Sequence, residues 1–419
     1  MSKYIVTGGN KLKGEVIVQG SKNAALPILA ATVLNQAESI IENVPNIHDV
    51  DIMIKILKSI GCNVKKEGNT LIVDSSKIDS VEVSESLVRE MRSSIILLGA
   101  VLARHKETIF SYPGGCDIGL RPIDIHLTGL RKLGAQVKES HGYIYCRADR
   151  LLGSNISLDY PSVGATENIM LAASLAEGET ILRNAAKEPE INDLQNFLNA
   201  MGAKIHGAGT SIINIQGVKK LNPVRYSVIS DRIAAGTYIV ASCITGGEII
   251  LKNIDIEDIR IVCSKLSETG CNIESYDSGE IIIHSPKKIL PIESLITLPH
   301  PGFPTDMQAQ VVALLTVAKG TSIINETIFE NRFKHVPQLI RMGAKIKIEG
   351  RIAIIQGVDR LMGTIVDSSD LRGGAALVIA GLRADGVTTV ENIFHIDRGY
   401  EKFHDNLKSL GADIIRQEE

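Results

Sequence analysis

The 419-residue chain contains no tryptophan, and aromatic residues make up only 4% of it. So few aromatic side chains leave few platforms on which nucleic-acid bases could stack. An excess of positive charge is also missing, since the formal net charge is −3 at pH 7. Both features argue against nucleic acid or a membrane surface as the main partner.

Long hydrophobic stretches are missing as well. The longest apolar segment, around residues 233–244, is shorter than the ~20 residues that cross a bilayer. The first residues alternate between apolar and polar types instead of forming an apolar run, so we expect no signal peptide. With 22% charged and 44% apolar residues, the composition predicts a cytoplasmic protein that can bury two sizeable cores.

The six cysteines form no Cys-x-x-Cys pair and no set with histidine at metal-ligand spacing. Cys116 lies in residues 112–122, a stretch with three glycines and two prolines that matches no helix or strand pattern. We therefore expect its thiol to be accessible. The other five occupy core-like positions and are expected to be free buried thiols, namely Cys62, Cys146, Cys243, Cys263 and Cys271.

A short motif recurs six times along the chain. It reads Leu-x-x-[Leu/Ile/Met]-Gly-[Ala/Cys]-x-[Ile/Val], strictly or in slightly relaxed form, with its glycines 73, 68, 68, 73 and 68 residues apart. Each copy is typical of an amphipathic helix that ends at a left-handed glycine and is followed by a strand. The spacing predicts six copies of one unit, grouped three plus three. The glycines are Gly61, Gly134, Gly202, Gly270, Gly343 and Gly411.

Each unit also contains a second helix pattern, apolar on nearly every side and rich in small residues. A helix that is apolar all round must be buried all round, so each unit is predicted to place one helix in a core. Short β-branched segments after these helices predict strands. The helical segments are residues 24–34, 94–103, 168–176, 233–244, 307–317 and 374–382.

Cations recur at two positions of the repeat. Four lie at the predicted starts of core helices, and three lie 11 to 13 residues before a repeated glycine. They could be solvated surface groups. However, cations beside a helix N-terminus oppose the helix dipole, so their recurrence favours an anionic ligand with several phosphate or carboxylate groups. The seven are Lys22, Arg92, Arg232, Arg372, Arg121, Arg332 and Arg398.

Asp306 occupies the helix-start position in the fifth unit, where most other units have a cation. It could simply be a cap or first-turn residue of its helix. Alternatively, nearby cations and a positioned hydroxyl would let it accept a proton in a transition state. Spacing alone leaves both interpretations open.

Several motifs together resemble the enolpyruvyl transferase family over the whole chain. They include Gly-Ser-Lys-Asn at residues 20–23, Phe-Pro-Thr-Asp at 303–306 and Glu-Asn-Arg-Phe at 330–333. Further motifs lie at residues 113–126, 370–372 and 395–401. The resemblance implies transfer of the enolpyruvyl group of phosphoenolpyruvate to the 3′-hydroxyl of UDP-N-acetylglucosamine with release of phosphate, the first committed step of peptidoglycan synthesis.

The resemblance also implies an α/β fold of two inside-out α/β barrel domains, each of three repeated units with buried parallel helices. One domain is expected near residues 22–229. The other is expected to combine residues 1–21 with 230–419, with the active site in the cleft between the two domains. A monomer is implied as well, with the two small-molecule substrates as its only partners.

Three side chains would carry the implied chemistry. Cys116 would donate a proton to the methylene carbon of phosphoenolpyruvate, could form a covalent adduct with it, and would lie in a lid loop. Asp306 would take the proton from the sugar hydroxyl, assisted by Asp370. Because a thiol, carboxylates and cations suffice for this reaction, the resemblance implies no metal and no other cofactor.

The implied substrate contacts come from cations and loops. Lys22, Arg121 and Arg398 would hold the phosphate and carboxylate of phosphoenolpyruvate, so Lys22 and Arg398 would also be catalytic. Asn23 would contact the sugar and the tetrahedral intermediate. The other implied contacts to the nucleotide, the sugar or phosphoenolpyruvate are Arg92, Pro122, Ile123, Asp124, Ile125, Ser162, Val163, Gly164, Ile328, Arg332 and Arg372.

Two alternatives stay open at this point. One is a 5-enolpyruvylshikimate-3-phosphate synthase-like transferase, although that pattern has serine at the position of Asn23 and lacks the loop of Cys116. The other is a non-catalytic repeat scaffold or regulatory paralogue. A scaffold would have no need of a glycine-rich loop with one accessible thiol among cations.

Overall fold

A computed structural model describes residues 2–113, 123–276 and 278–418. Its residues divide into two compact units, each with its own hydrophobic core. These two units are larger than the six sequence repeats, and "first unit" and "second unit" refer to them from here on. The first unit contains residues 2–19 together with the described part of 230–418, and the second contains the described part of 20–229. No helix within these described residues has the length and apolar character needed to cross a bilayer.

The helices alternate with strands along the whole described chain. Short 3-10 turns precede or follow three of the core helices, at Thr32–Leu34, Arg92–Ile96 and Thr305–Met307. The α-helices are α1 (Lys22–Ala31), α2 (His48–Ser59), α3 (Glu85–Glu90), α4 (Leu97–His105), α5 (Asp124–Lys132), α6 (Val163–Ala173), α7 (Pro189–Ala200), α8 (Arg232–Thr245), α9 (Ile256–Ser267), α10 (Gln308–Leu315), α11 (Val336–Arg341), α12 (Leu371–Arg383), α13 (Phe394–Asp397) and α14 (Phe403–Ser409).

The strands are short, mostly of five residues, and in most of them more buried side chains alternate with more exposed ones. They are β1 (Lys3–Thr7), β2 (Lys13–Ile17), β3 (Glu38–Glu42), β4 (Asn63–Glu67), β5 (Thr70–Asp74), β6 (Glu107–Ser111), β7 (Gln136–Ser140), β8 (Tyr143–Arg147), β9 (Asn155–Ser157), β10 (Glu179–Arg183), β11 (Lys204–His206), β12 (Ile212–Gln216), β13 (Arg225–Ser227), β14 (Glu248–Lys252), β15 (Asn272–Tyr276), β16 (Glu280–His284), β17 (Ser294–Ile296), β18 (Thr321–Asn325), β19 (Lys345–Glu349), β20 (Ile352–Gln356), β21 (Ile365–Asp367), β22 (Val387–Glu391) and β23 (Asp413–Gln417).

Among the described residues, each unit contains three small sheets of one repeated design. In the first unit the strand orders are β21-β22-β1-β23, β15-β16-β14-β2 and β17-β18-β20-β19. In the second they are β11-β12-β10-β9, β13-β3-β5-β4 and β6-β8-β7. Every four-stranded sheet combines one parallel edge strand with antiparallel pairs. In the three-stranded sheet, an isolated parallel bridge between Glu82 and Ile109 takes the place of that edge strand.

The predicted core helices are confirmed. They are α8, α10 and α12 in the first unit and α1, α4 and α6 in the second, and nearly all of their residues are buried. Four of them, α1, α6, α8 and α12, begin one to five residues before the predicted segments, because polar residues extend the apolar part at its start. Helices α4 and α10 begin three residues and one residue after them, because a 3-10 turn precedes each helix. The side chains of Ser21, Ser162, Asp231 and Asp370 accept hydrogen bonds from free backbone N–H groups at the starts of the other four.

Small residues allow these helices to pack closely. A Cβ atom added at Gly236 in α8 would lie 2.8 Å from the Sδ atom of Met307. In the second unit, one added at Gly99 would lie 2.5 Å from Oδ1 of Asn168, which accepts a hydrogen bond from the Gly99 backbone N–H at 2.6 Å. The abundance of glycine and alanine in the core helices is therefore a packing requirement.

The six repeated glycines have φ angles from 89° to 105°. They follow α2, α5, α7, α9, α11 and α14, and each is followed within two residues by a strand. Glycine adopts such angles at little cost, whereas other residues are strained there. The predicted repeat of helix, left-handed glycine and strand is confirmed.

One prediction about the cysteines is wrong. Cys243 in α8 and Cys271 before β15 form a disulfide, with Cα atoms 6.5 Å apart. The cysteines lie 28 residues apart in sequence, and only the packing of α8 beside the end of α9 brings them together. The remaining described cysteines are free and buried as predicted, and burial raises the pKa of each thiol to about 12: Cys62, Cys146 and Cys263.

Candidate functional site

The N-terminal ends of α10 and α12 meet at Asp306 in the first unit. Oδ1 of Asp306 accepts a hydrogen bond from Nη2 of Arg332 at 2.8 Å. Its Oδ2 accepts from Nη2 and Nε of Arg372 at 3.1 and 3.3 Å. The arginine side chains are only 3% and 2% exposed, whereas the Asp306 side chain is 27% exposed. A partly accessible carboxylate is thus held between two buried cations.

This geometry supports the interpretation of Asp306 as a residue in the first turn of its helix, and it adds ion pairs to that role. The residue lies in the 3-10 turn Thr305–Met307, whose cap residue is Pro304. Asp306 is therefore a first-turn residue, and its carboxylate also forms the ion pairs with two arginines from other parts of the chain. The sequence distances of 26 and 66 residues explain why spacing alone did not predict these pairs.

Arg372 is fixed by an aromatic ring as well as by Asp306. The guanidinium carbon lies 5.3 Å from the ring centroid of Tyr400, a cation–π geometry. Burial alone would lower the pKa of Arg372, but its interactions with Tyr400, Asp306 and Asp231 raise it overall. Its Nη1 group is buried and has no hydrogen-bond partner among the described residues. One donor of this permanently charged side chain remains available.

Asp370 caps the helix that carries Arg372. Its Oδ1 accepts hydrogen bonds from the backbone N–H groups of Arg372 and Gly373 at 3.1 and 3.0 Å. Its Oδ2 is buried and lacks a partner among the described residues. A Cβ atom at Gly373 would approach this oxygen to 2.6 Å, so a larger residue there would displace the carboxylate.

His335 is a neutral neighbour of these charges. Burial, with a smaller contribution from Arg332, lowers the pKa of the imidazole to about 4, although the charge of Asp370 acts in the opposite direction. The ring therefore adds no charge near pH 7. The net charge of the cluster is set by its carboxylates and guanidinium groups.

Glu326 is a functional candidate that the sequence analysis missed. Its carboxylate is buried, and Oε2 accepts a hydrogen bond from the Thr305 hydroxyl at 2.9 Å. Oε1 accepts from the Thr297 hydroxyl at 2.8 Å and from the backbone N–H groups of Ile328 and Phe329 at 2.9 and 3.2 Å. One carboxylate thus holds both the turn of Asp306 and the loop of Ile328. A glutamate at the end of an apolar strand was the only signal in the sequence.

In the second unit, the predicted residues lie at the starts of α1 and α6. Lys22 is the first residue of α1, and its Nζ atom lies 3.4 Å from Oδ2 of the buried Asp49. Val163 and Gly164 begin α6, directly after the cap residue Ser162. Gly164 packs against an imidazole, since an added Cβ atom would lie 3.0 Å from Cε1 of His126.

Burial and the nearby charge of Arg92 lower the pKa of His126 to about 4. Its Nδ1 lies 2.9 Å from Nδ2 of Asn168, which also donates to the backbone carbonyl of Ile95 at 2.8 Å. With the amide nitrogen as donor, Nδ1 is the acceptor and the ring is neutral. This network joins α4, α5 and α6 beneath the helix starts.

The predicted site residues are distributed over both units. Asp306, Ile328, Arg332, Asp370, Arg372 and Arg398 belong to the first unit. Cys116, Arg121 and Pro122 lie outside the described residues. The members in the second unit are Lys22, Asn23, Arg92, Ile123, Asp124, Ile125, Ser162, Val163 and Gly164.

The described residues contain no group of three or more histidine, cysteine, aspartate or glutamate side chains arranged to hold a metal ion. The cluster in the first unit instead combines carboxylates with guanidinium groups. Such a cluster can bind an anion through its unused donors and can accept a proton at Asp306.

Comparison with known proteins gives full-length matches. The sequence model of the family described as EPSP synthase (3-phosphoshikimate 1-carboxyvinyltransferase) matches residues 6–407. A protein of Caldanaerobacter subterraneus subsp. tengcongensis named UDP-N-acetylglucosamine 1-carboxyvinyltransferase 2 is 55% identical, over 99% of this chain and 100% of the relative. A protein of Carboxydothermus hydrogenoformans with the same name is 51% identical, over 99% of each chain.

Solved structures match as well. The enolpyruvyl transferase NikO from Streptomyces tendae has a TM-score of 0.90 and 25% identity, with 99% of each chain covered. EPSP synthase from Acinetobacter baumannii has a TM-score of 0.78 and 18% identity, with 100% of each chain covered. These likenesses confirm the predicted α/β fold.

Proposed function

Because the chain belongs to the EPSP synthase (3-phosphoshikimate 1-carboxyvinyltransferase) family, we propose that it transfers the enolpyruvyl group of phosphoenolpyruvate to the 3′-hydroxyl of UDP-N-acetylglucosamine. The full-length relatives at 55% and 51% identity are named for the nucleotide-sugar acceptor, which supports this choice over shikimate 3-phosphate. In the reaction, the sugar oxygen bonds to C2 of phosphoenolpyruvate and the C2–O bond to phosphate breaks. We further propose that this is the first committed step of peptidoglycan synthesis and that it takes place in the cytoplasm.

The observation that carries the proposal is the position of Asp306 between Arg332 and Arg372. Its carboxylate is partly exposed, so a substrate hydroxyl can reach it. We assign Asp306 as the group that takes the proton from the 3′-hydroxyl as the oxygen attacks. The buried arginines hold the carboxylate in place, and fixed geometry of this kind lowers the cost of reaching the transition state.

The cations are assigned to phosphoenolpyruvate, which carries a phosphate and a carboxylate. Lys22, Arg121 and Arg398 are assigned to hold these groups, and Arg332 and Arg372 are assigned to the same substrate. Arg372 supports this role because its buried Nη1 donor is unused, and an unused buried donor is costly unless a ligand accepts its hydrogen bond.

Cys116 is assigned as the acid that protonates C3, the methylene carbon, and Asp370 as a second carboxylate that assists Asp306. When phosphate leaves, a proton is lost again from C3, so the enol ether is restored and the atoms balance. The buried, unpartnered Oδ2 of Asp370 supports its role.

The nucleotide sugar is assigned to loops and helix starts. Helix N-termini present free backbone N–H groups that suit phosphate, and α6 begins at Val163 directly after its cap. Asn23 and Ile328 are assigned to the sugar. The nucleotide is assigned to Arg92, Arg121, Pro122, Ile123, Asp124, Ile125, Ser162, Val163 and Gly164.

The test is phosphate release from phosphoenolpyruvate with purified protein, with UDP-N-acetylglucosamine and shikimate 3-phosphate compared as acceptors. Release with the nucleotide sugar alone is the expected result. Release with shikimate 3-phosphate alone would overturn the acceptor and the role of Cys116. No release with either acceptor, from folded protein, would favour a binding or regulatory paralogue.

A further inference from the structure

The C-terminal ends of the three core helices of the first unit line a cavity of about 560 Å³. Helix α8 reaches it at Thr245, and α12 reaches it at its last residue. The lining residues include one carboxylate, that of Asp359, and five cations. The cations are Lys11, Lys287, Lys288, Lys319 and Arg383.

Cations at helix C-termini commonly bind the free carbonyl groups there. The second unit shows this arrangement. Nη1 of Arg104 donates to the carbonyls of Val33 and Asn35 at 2.8 and 2.6 Å, and Nζ of Lys106 donates to Ala103 at 2.8 Å. These two cations are therefore explained by capping.

The five cations of the cavity are different. Within residues 2–113, 123–276 and 278–418, none of their side chains forms an ion pair or a hydrogen bond. Asp359 also pairs with none of them. Capping and internal ion pairing therefore do not explain why five positive charges surround one cavity.

The charge of the cavity is strongly positive. Five cations and one carboxylate give +4 from side chains. Three helix C-termini together contribute about −1.5, at about −0.5 each. About 2.5 positive charges remain unbalanced, in a chain whose formal net charge is −3. An anion with two or more charges would neutralise them.

We propose that this cavity binds a small, multiply charged phosphate compound. Four of the five cations are lysines, whose ammonium groups bind phosphate as point charges. The described lining residues include no aromatic side chain, so nothing there would stack on a nucleobase. The chemistry therefore fits an oligophosphate or a phosphorylated sugar. The cavity volume lies within the usual range for small-molecule sites.

This site is separate from the one proposed for catalysis. Helix α12 contains 13 residues from Leu371 to Arg383, so its ends are roughly 20 Å apart at 1.5 Å per residue. Arg372 lies at one end and Arg383 at the other. A ligand in the cavity therefore does not touch the proposed catalytic cluster of the first unit.

Titration calorimetry with inorganic tripolyphosphate, in buffer without divalent metal, tests the proposal. The cavity variant is Lys287→Ala/Lys319→Ala, and both side chains are exposed in the native protein. We expect about tenfold weaker binding than wild type, since each phosphate contact contributes up to about a factor of five. Increasing the salt from 50 to 200 mM should weaken binding to wild type.

The matched control is Lys77→Ala/Lys219→Ala in the second unit. Lys77, Lys219 and Lys287 all follow a repeated glycine by 16 or 17 residues and are exposed. This control should bind tripolyphosphate like wild type. An equal loss in both double variants would mean diffuse attraction and would overturn the proposal, as would equal binding by all three proteins.

Lys22→Ala separates the cavity from the proposed catalytic cations. It should keep the binding that the cavity variant loses, while the cavity variant keeps phosphate release from phosphoenolpyruvate. If Lys22→Ala loses binding and the cavity variant does not, the anion lies at the catalytic cations and the proposal is wrong. Binding to phosphatidylglycerol vesicles without binding to tripolyphosphate would identify a membrane surface instead and would also contradict it.

Discussion

The hydroxyl of Thr305 donates a hydrogen bond to Oε2 of Glu326 over 2.9 Å, and the glutamate is only 1% exposed. This contact places a buried carboxylate beside the turn that carries Asp306. Oε1 of Glu326 accepts the remaining three hydrogen bonds, so within the described part of the chain both oxygens are satisfied without a cation. Glu326 is therefore a positioning residue for the proposed proton acceptor.

Replacement of Glu326 with glutamine tests this role. The side chain keeps its shape, but its NH₂ group cannot accept hydrogen bonds, so one side of the network is broken. We expect a loss of about 1–3 kcal/mol in the free energy of unfolding. A small displacement of the turn should also lower kcat by about tenfold or more. Urea unfolding and phosphate release measure the two effects.

The control for this substitution is Glu349→Gln. Glu349 forms an ion pair with Lys347 on the surface, with both side chains more than half exposed. Exposed pairs contribute about 0–1 kcal/mol, so stability and kcat should change little. A Glu326→Gln protein that behaves like this control would show that the buried network does not position Asp306.

Asp306→Asn addresses the proton acceptor itself. The amide keeps the volume and one hydrogen-bonding oxygen, but it cannot take up a proton. General base catalysis typically contributes about 10²–10⁴-fold, so kcat should fall by at least about 100-fold. The KM for phosphoenolpyruvate should change much less. Steady-state phosphate release measures both constants.

The matched substitution is Asp385→Asn, which removes an exposed partner of Arg360. This protein should retain wild-type kcat and KM. A kcat for Asp306→Asn within about threefold of wild type would contradict the assignment of the base.

The features that could be predicted from sequence are those with a local physical cause. Gly61 and its repeats require a left-handed backbone conformation, which glycine provides wherever it occurs. The core helices are apolar on all sides, and such a helix must be buried in any fold. These properties need no knowledge of distant residues, so the repeat and the presence of six core helices were predicted correctly, whereas the helix starts differ from the predicted ones by one to five residues.

The missed features depend on contacts between distant segments. Asp306 meets Arg332 and Arg372 only after α10, α11 and α12 have packed. Glu326 resembles an ordinary surface glutamate at the end of β18 until the hydroxyl and N–H groups of two other segments surround it. The sequence showed where the charged residues lie along the chain, but their partners could be identified only from the folded structure.

The buried His126 predicts a specific pH dependence. Its folded pKa is about 4, below the ordinary value of 6.5, because burial and Arg92 disfavour the charged ring. At pH 5 the unfolded chain is therefore protonated at this residue and the folded chain is not. Its contribution to stability is present above pH 6.5 and is lost as the pH falls towards 4. The effect amounts to a few kcal/mol, at about 1.4 kcal/mol per pKa unit.

Urea unfolding of His126→Gln and wild type at pH 5 and pH 7 measures this effect. Glutamine can still accept the hydrogen bond of Asn168 but does not titrate. The difference in unfolding free energy between the two pH values should therefore be smaller in the variant. His206→Gln, at an exposed strand position, is the control and should keep the wild-type pH dependence. An unchanged dependence in His126→Gln would contradict a neutral buried ring.

The disulfide between Cys243 and Cys271 predicts the number of reactive thiols. The chain has six cysteines, so four should react with a maleimide after unfolding without reductant, and all six after reduction.

Native protein should react at Cys116 alone. Cys62, Cys146 and Cys263 are buried with raised pKa values, and the thiolate is the reactive form. Peptide mass spectrometry identifies the labelled sites. Six labels in unfolded, unreduced protein would exclude the disulfide, whereas native labelling at Cys62 or Cys263 would contradict their burial.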